Sequence, residues 1–145
     1  MKRVVTRIMV AIIATTLCSC LAPQNTAMVG VDMHSWTKVK SVVYENSDTI
    51  SLRNLNIAIR YNDNFVDKSL PLKVVIMSPD TRIFEETITI QLHHPSTALA
   101  VSTTESRPYR SNVAFGQKGT YVFAFKPLAE VRGVEAIGIE LKEVE

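Results

Sequence analysis

The chain has almost no cysteine. Cys18 and Cys20 are its two, and both lie within the first 20 of 145 residues. Everything after Cys20 therefore lacks the means for a disulfide, thiol catalysis or a Cys-ligated metal, and its fold must rest on a hydrophobic core. Histidine is nearly as scarce: His34, His93 and His94. Adjacent His93 and His94 would point to opposite faces of a strand and could not easily share an ion. No G-x-S-x-G elbow marks a serine nucleophile. Glu85 and Glu86 are neighbours, so in a strand they diverge and do not form the facing pair of a glycosidase. Asn62 to Asp67 (NDNFVD) offers oxygens but lacks the length, glycine and closing glutamate of a calcium loop, and reads as a turn. An excess of one charge is missing too. Lys2, Arg3 and Arg7 fall in the first seven residues, and from residue 20 onward 13 Lys and Arg meet 14 Asp and Glu. That balance argues against nucleic acid and against a polybasic lipid patch. No apolar segment of helical period exceeds about two turns.

What is present begins at the N-terminus. Lys2, Arg3 and Arg7 precede an apolar stretch from Ile8 to Leu17, ten residues long and too short to span a bilayer. Leu17-Cys18-Ser19-Cys20 then resembles the lipobox of bacterial lipoproteins. That resemblance implies cleavage after Ser19 and acylation of Cys20, with chains such as palmitate holding the protein to a membrane. The expected division is residues 1–19 as signal peptide, 20–35 as lipidated N-terminus and tether, and 36–145 as one β-sandwich domain. Position 21 is Leu rather than Asp, which by resemblance to sorting signals favours the outer membrane. No acidic cluster follows Cys20, which favours a periplasm-facing domain.

From Trp36 the chain is a succession of short alternating runs. Trp36–Tyr44 is one. Leu55, Ile57, Ile59 and Tyr61 alternate with Asn54, Asn56, Ala58 and Arg60 as a half-buried strand. Residues 62–64 make a turn. Leu72, Val74 and Ile76 oppose Lys73, Val75 and Met77, with both faces apolar at the centre, so this strand is interior. After the connection at 78–81, Phe84, Glu86, Ile88, Ile90 and Leu92 share a face that Glu86 interrupts. Residues 93–109 read as a long polar loop with room for a short strand at 98–101. Ser111–Phe115 is a strand, 116–119 a turn, and Tyr121, Phe123 and Phe125 another alternation. Residues 127–132 suit one helical turn. Ile137, Ile139 and Leu141 share a face, while Val134 and Ala136 sit in the opposite register, which calls for a bulge near Glu135–Ala136 or a strand that starts at Ala136. Seven or eight strands at this spacing indicate an all-β, antiparallel two-sheet sandwich, of jelly-roll or immunoglobulin-like order.

The run NLNIAIRYNDNF, then PLKVVIMSPD, then EETITIQL, and above all FGQKGTYVFAFKPLAEVRGVEAIGIELKE, resembles the gliding-motility lipoprotein GldH family of Bacteroidota. The resemblance covers about residues 20–145. It implies a non-enzymatic, lipid-anchored envelope protein associated with gliding and surface-protein delivery, with no catalytic residues, cofactor, metal or small-molecule substrate. Its partners would be the membrane, through Cys20, and other envelope proteins. The residues available for contacts are Trp36, Tyr109, Arg107 and Arg110. The alternative is a lipid-anchored carbohydrate-binding sandwich using exposed aromatics among Trp36, Tyr44, Tyr61 and Tyr109, although Trp36 and Tyr61 suit the core better.

Overall fold

The computed structural model describes residues 25–93 and 102–144. Cys20, His94 and the strand expected at 98–101 lie outside them. The described residues form eight strands: β1 (Thr26–Gly30), β2 (Lys40–Asn46), β3 (Arg53–Tyr61), β4 (Ser69–Met77), β5 (Ile83–Gln91), β6 (Thr103–Val113), β7 (Gly119–Pro127) and β8 (Val134–Glu143). They pair as one long hairpin, β1 with β8, β2 with β7, β3 with β6 and β4 with β5. Curling this hairpin adds β3–β8 and β4–β7. Two antiparallel sheets result, ordered β1-β8-β3-β6 and β2-β7-β4-β5. Of the two sandwich orders open from sequence, this nested one is the jelly roll.

Alternation places the core between the sheets. Leu55, Ile57, Ile59 and Tyr61 of β3 and Ile137, Ile139 and Leu141 of β8 face Leu70, Leu72 and Val74 of β4 and Phe123 and Phe125 of β7, all buried. Each such side chain contributes roughly 2 kcal/mol on leaving water. β4 is interior as its two apolar faces required. β3 is buried on its outer side as well, because Ala58 and Asn56 sit between flanking strands.

Four expectations need correction. β1 lies inside the segment read as tether. Residues 103–109 are strand, not loop: they open β6, whose inward positions are polar and so hide the apolar alternation. Phe115 lies beyond that strand. Residues 127–132 form no helical turn; Val131 is buried and bridges Trp36 through paired hydrogen bonds of 2.9 and 3.1 Å. Of the two openings expected for β8, the bulge is the one present, and the strand starts at Val134 rather than Ala136. Tyr61 opposes Val134 and Arg60 opposes Ala136, leaving Glu135 extra. The bulge lets Val134 and Ile137 both enter the core.

Two glycines are sterically required. Gly133 has φ +84°, and a Cβ there would lie 2.1 Å from the Phe65 nitrogen. At Gly138 a Cβ would lie 1.9 Å from the Ala27 carbonyl oxygen, because β1 closes tightly on β8. Gly138→Ala is expected to cost about 3 kcal/mol by forcing these strands apart. At Gly30 the nearest atom to such a Cβ is 3.9 Å away, so Gly30→Ala should be near neutral. Chemical denaturation checks the pair, and equal midpoints would contradict the close approach.

Candidate functional site

The outer faces of the two sheets differ in chemistry. Directly opposed residues of an antiparallel pair share a face. On the β2-β7-β4-β5 sheet Val43 opposes Val122, Val122 opposes Met77, and Met77 opposes Ile83. One apolar row thus crosses all four strands, with Val43 60% and Ile83 66% exposed. The adjoining row is Ser41, Ala124, Val75 and Glu85, and Lys126 opposes Lys73 in the row beyond. Lys73 Nζ lies 2.7 Å from the Glu85 carboxylate. On the opposite flank the Thr120 hydroxyl donates to Glu45. The band is therefore apolar at its centre, with Lys126 and the Lys73–Glu85 pair on one margin and Glu45 on the other.

The outer face of the other sheet satisfies itself. Met28, Gly138, Ala58 and Ser106 form a row of mostly small side chains. Beside it the Glu140 carboxylate accepts from the Ser106 hydroxyl, from Asn56 Nδ2 at 3.4 Å and from Lys142 Nζ at 3.3 Å. The Ser106 hydrogen bond leads in holding Glu140 below the usual carboxylate range.

A third arrangement closes the open side of the sandwich, where edge strands β5 and β6 meet. Glu105 and Arg107 of β6 oppose Ile59 and Ile57 of β3, so they point inward. The Glu105 carboxylate accepts the His93 backbone N–H at 3.0 Å and the Tyr61 hydroxyl, and its other oxygen meets Arg107. Burial opposes its charge, but the Tyr61 hydroxyl, the His93 N–H and Arg107 outweigh burial, and its pKa is lowered. Nearby, Glu86 of β5 accepts the Tyr109 hydroxyl and Arg110 Nη2, the latter at 2.6 Å. Burial, then the facing carboxylates, push the phenols of Tyr61 and Tyr109 above their ordinary range. Both hydroxyls are fixed donors. This seam lets two sheet edges meet without leaving buried charge unpaired.

A family model described as GldH lipoprotein matches residues 25–141, a span that takes in all eight strands but the last two residues of β8. The chain belongs to the GldH lipoprotein family. No curated protein matches it. Among solved structures, a 4-O-methyl-α-glucuronidase with specificity for decorated arabinogalactans is 14% identical at a TM-score of 0.43, over 81% of this chain and 14% of that one. A structure of infectious bursal disease virus, Gt strain, is 9% identical at a TM-score of 0.18, over 86% of this chain and 44% of that one. The chain spans under half the length of each, and neither likeness carries a functional argument.

In this GldH-family chain the contact residues chosen from sequence do not form one surface. Trp36 is 1% exposed; its indole Nε1 donates to the Lys38 carbonyl at 2.7 Å. Tyr109, Arg107 and Arg110 do come together, but in the seam. The Arg110 guanidinium lies 5.0 Å from the Tyr109 ring centroid and covers it. Tyr61 is core, and Tyr44 packs 5.2 Å from Phe115 and accepts from Arg53 Nη1 at 2.8 Å. None of these rings offers the open platform that a sugar requires. Among the described residues no three His, Cys, Asp or Glu gather to hold a metal, and no helix is long and apolar enough to cross a membrane. Sequence reasoning missed Val43, Val122, Met77 and Ile83. Each is an unremarkable member of its own strand, and only the register joins them. The apolar second face of β4 was the one available signal.

The unfolded chain protonates Glu105 near pH 4.5, above the lowered folded value. Its stabilisation is therefore complete above that pH and is lost as the pH falls through the folded pKa. Glu105→Gln is expected to cost roughly 2 kcal/mol near neutrality and to flatten the acid limb of stability. Urea midpoints from about pH 7 to about pH 3 check this. Identical acid slopes in the two proteins would contradict it.

Proposed function

We propose that this GldH-family chain is a non-enzymatic outer-membrane lipoprotein that docks another envelope protein on the outer face of its β2-β7-β4-β5 sheet. The observation that carries the reading is the uninterrupted row Val43, Val122, Met77 and Ile83. Such a face suits a protein surface that is apolar at its centre and acidic where it meets Lys73 and Lys126. The lipobox ending at Cys20 supports a lipid anchor, and Leu21 with the lack of an acidic cluster supports a periplasm-facing position. By family, the partner sought is a component of the gliding and surface-protein delivery machinery. The mechanism is positional. Confinement to one membrane plane raises the effective concentration of the docking face toward its neighbours, so a modest interface suffices. No chemistry is required of the seam, where Glu86 and Glu105 are occupied by tyrosine and arginine donors. The carbohydrate-binding alternative draws little support from the rings named for it: Trp36 and Tyr61 are buried, Tyr109 is covered by Arg110, and half-buried Tyr44 packs on Phe115.

Val43→Glu combined with Ile83→Glu places charge in the row at two well-exposed positions, so the fold should persist. Affinity purification from detergent-solubilised envelopes is expected to recover one stoichiometric partner with the native chain and at least tenfold less with the double variant. Equal recovery would move the docking site elsewhere. Cys20→Ala is expected to shift the protein from the membrane to the soluble fraction. A Cys20→Ala protein still bound to membrane would overturn the anchor.

A further inference from the structure

The described chain enters and leaves the sandwich at one end. The Asn25 carbonyl accepts the Leu141 N–H at 2.6 Å, and Glu143 at the end of β8 opposes Arg53 at the start of β3. The β2–β3 connection, residues 47–52, lies at this same end. Its form is set by Asp48, whose Oδ1 accepts from the N–H groups of Ile50 at 2.9 Å and Ser51 at 3.1 Å. Arg53 Nη2 stands 3.6 Å from the other carboxylate oxygen. A turn so held displays its apolar side chains. Ile50 is 86% exposed, more than any other large apolar residue described, and Leu52 is 48% exposed. Val144, 38% exposed, lines the same shallow depression as Leu52. A hydrogen-bonded tip that keeps isoleucine in water is a costly arrangement unless something covers it.

The chain length outside the sandwich says what lies there. Asn25 is five residues from Cys20, and five residues reach at most about 18 Å. The turn at 62–64 lies at the far end of β3, a nine-residue strand about 30 Å long. An acylated Cys20 therefore keeps the Asp48–Leu52 end within reach of the leaflet. We propose that this end rests on the lipid surface, with Ile50 and Leu52 entering the headgroup boundary and Val144 beside them. The seating rests on the acylation of Cys20 proposed above. The charged groups around it, Asp48, Arg53, Lys142 and Glu143, are balanced in sign, so a zwitterionic bilayer serves as well as an anionic one. Two apolar side chains add little to the hold of the acyl chains. What they supply is orientation. The sandwich stands on end, and its apolar outer face is turned sideways toward neighbours in the same membrane.

The test uses the acylated full chain reconstituted in phosphatidylcholine vesicles that contain acyl-chain-brominated lipid. With Cys18 cleaved away and Cys20 blocked, Ile50→Cys carries the one free thiol for an environment-sensitive fluorophore, and Asp63→Cys carries it at the opposite end. Both positions are exposed, so neither label should disturb the fold. Expected at residue 50 are a blue-shifted emission and quenching at least threefold stronger than at residue 63. Equal quenching at the two positions, or stronger quenching at 63, overturns the seating while leaving the anchor in place. An unacylated chain that floats with the vesicles as fully as the acylated one overturns the anchor, and the seating with it.

Discussion

The pairing of β1 with β8 is the contact on which the rest of the molecule depends. It joins the two ends of a chain that otherwise pairs inward, β2 with β7, β3 with β6 and β4 with β5. Without it β8 would be a free edge, and Ile137, Ile139 and Leu141 would lose cover on one side. The approach is close enough that position 138 can carry no side chain. The same closure fixes where the chain enters. Asn25 must lie against Leu141, next to the β2–β3 connection and the end of β8. A tether attached there can hold only that end of the sandwich near a membrane.

Three surfaces follow from this topology, and polar satisfaction separates them. The outer face of the β1-β8-β3-β6 sheet is lined by small residues and by a Glu140 whose Oε2 meets Ser106, Asn56 and Lys142. The β5–β6 side is sealed by Glu86 and Glu105, each held by a tyrosine hydroxyl and an arginine. Both surfaces are largely paired within themselves, although the buried Arg107 Nε has no hydrogen-bond partner. The remaining sheet face carries the exposed apolar row instead, the feature on which the docking proposal rests.

Much of the fold was legible in the sequence, and the failures have physical causes. β3, β7 and the Ile137–Leu141 part of β8 alternate in sequence, since their large apolar side chains all point into the core. The bulge at Glu135 was visible as a register conflict between Val134 and Ile137. β6 was hidden because its inward residues are Glu105 and Arg107, polar groups placed where two edges meet rather than where a core is filled. The segment 127–132 looked helical because its partner, Trp36, is nearly a hundred residues away in sequence. Jelly-roll order could not be read from periodicity, which is identical in either sandwich. The apolar outer-face row was invisible for the same reason. Val43, Val122, Met77 and Ile83 become neighbours through strand register alone.

The proposed place on the membrane rests on the sulfur of Cys20, and intact-mass spectrometry of the protein purified from its native envelope probes that proposal most directly. Predicted is a single species beginning at residue 20 and heavier than the polypeptide by two or three acyl chains with their glyceryl link. A mass that retains residues 1–19, or a mature chain with an unmodified cysteine, would contradict it.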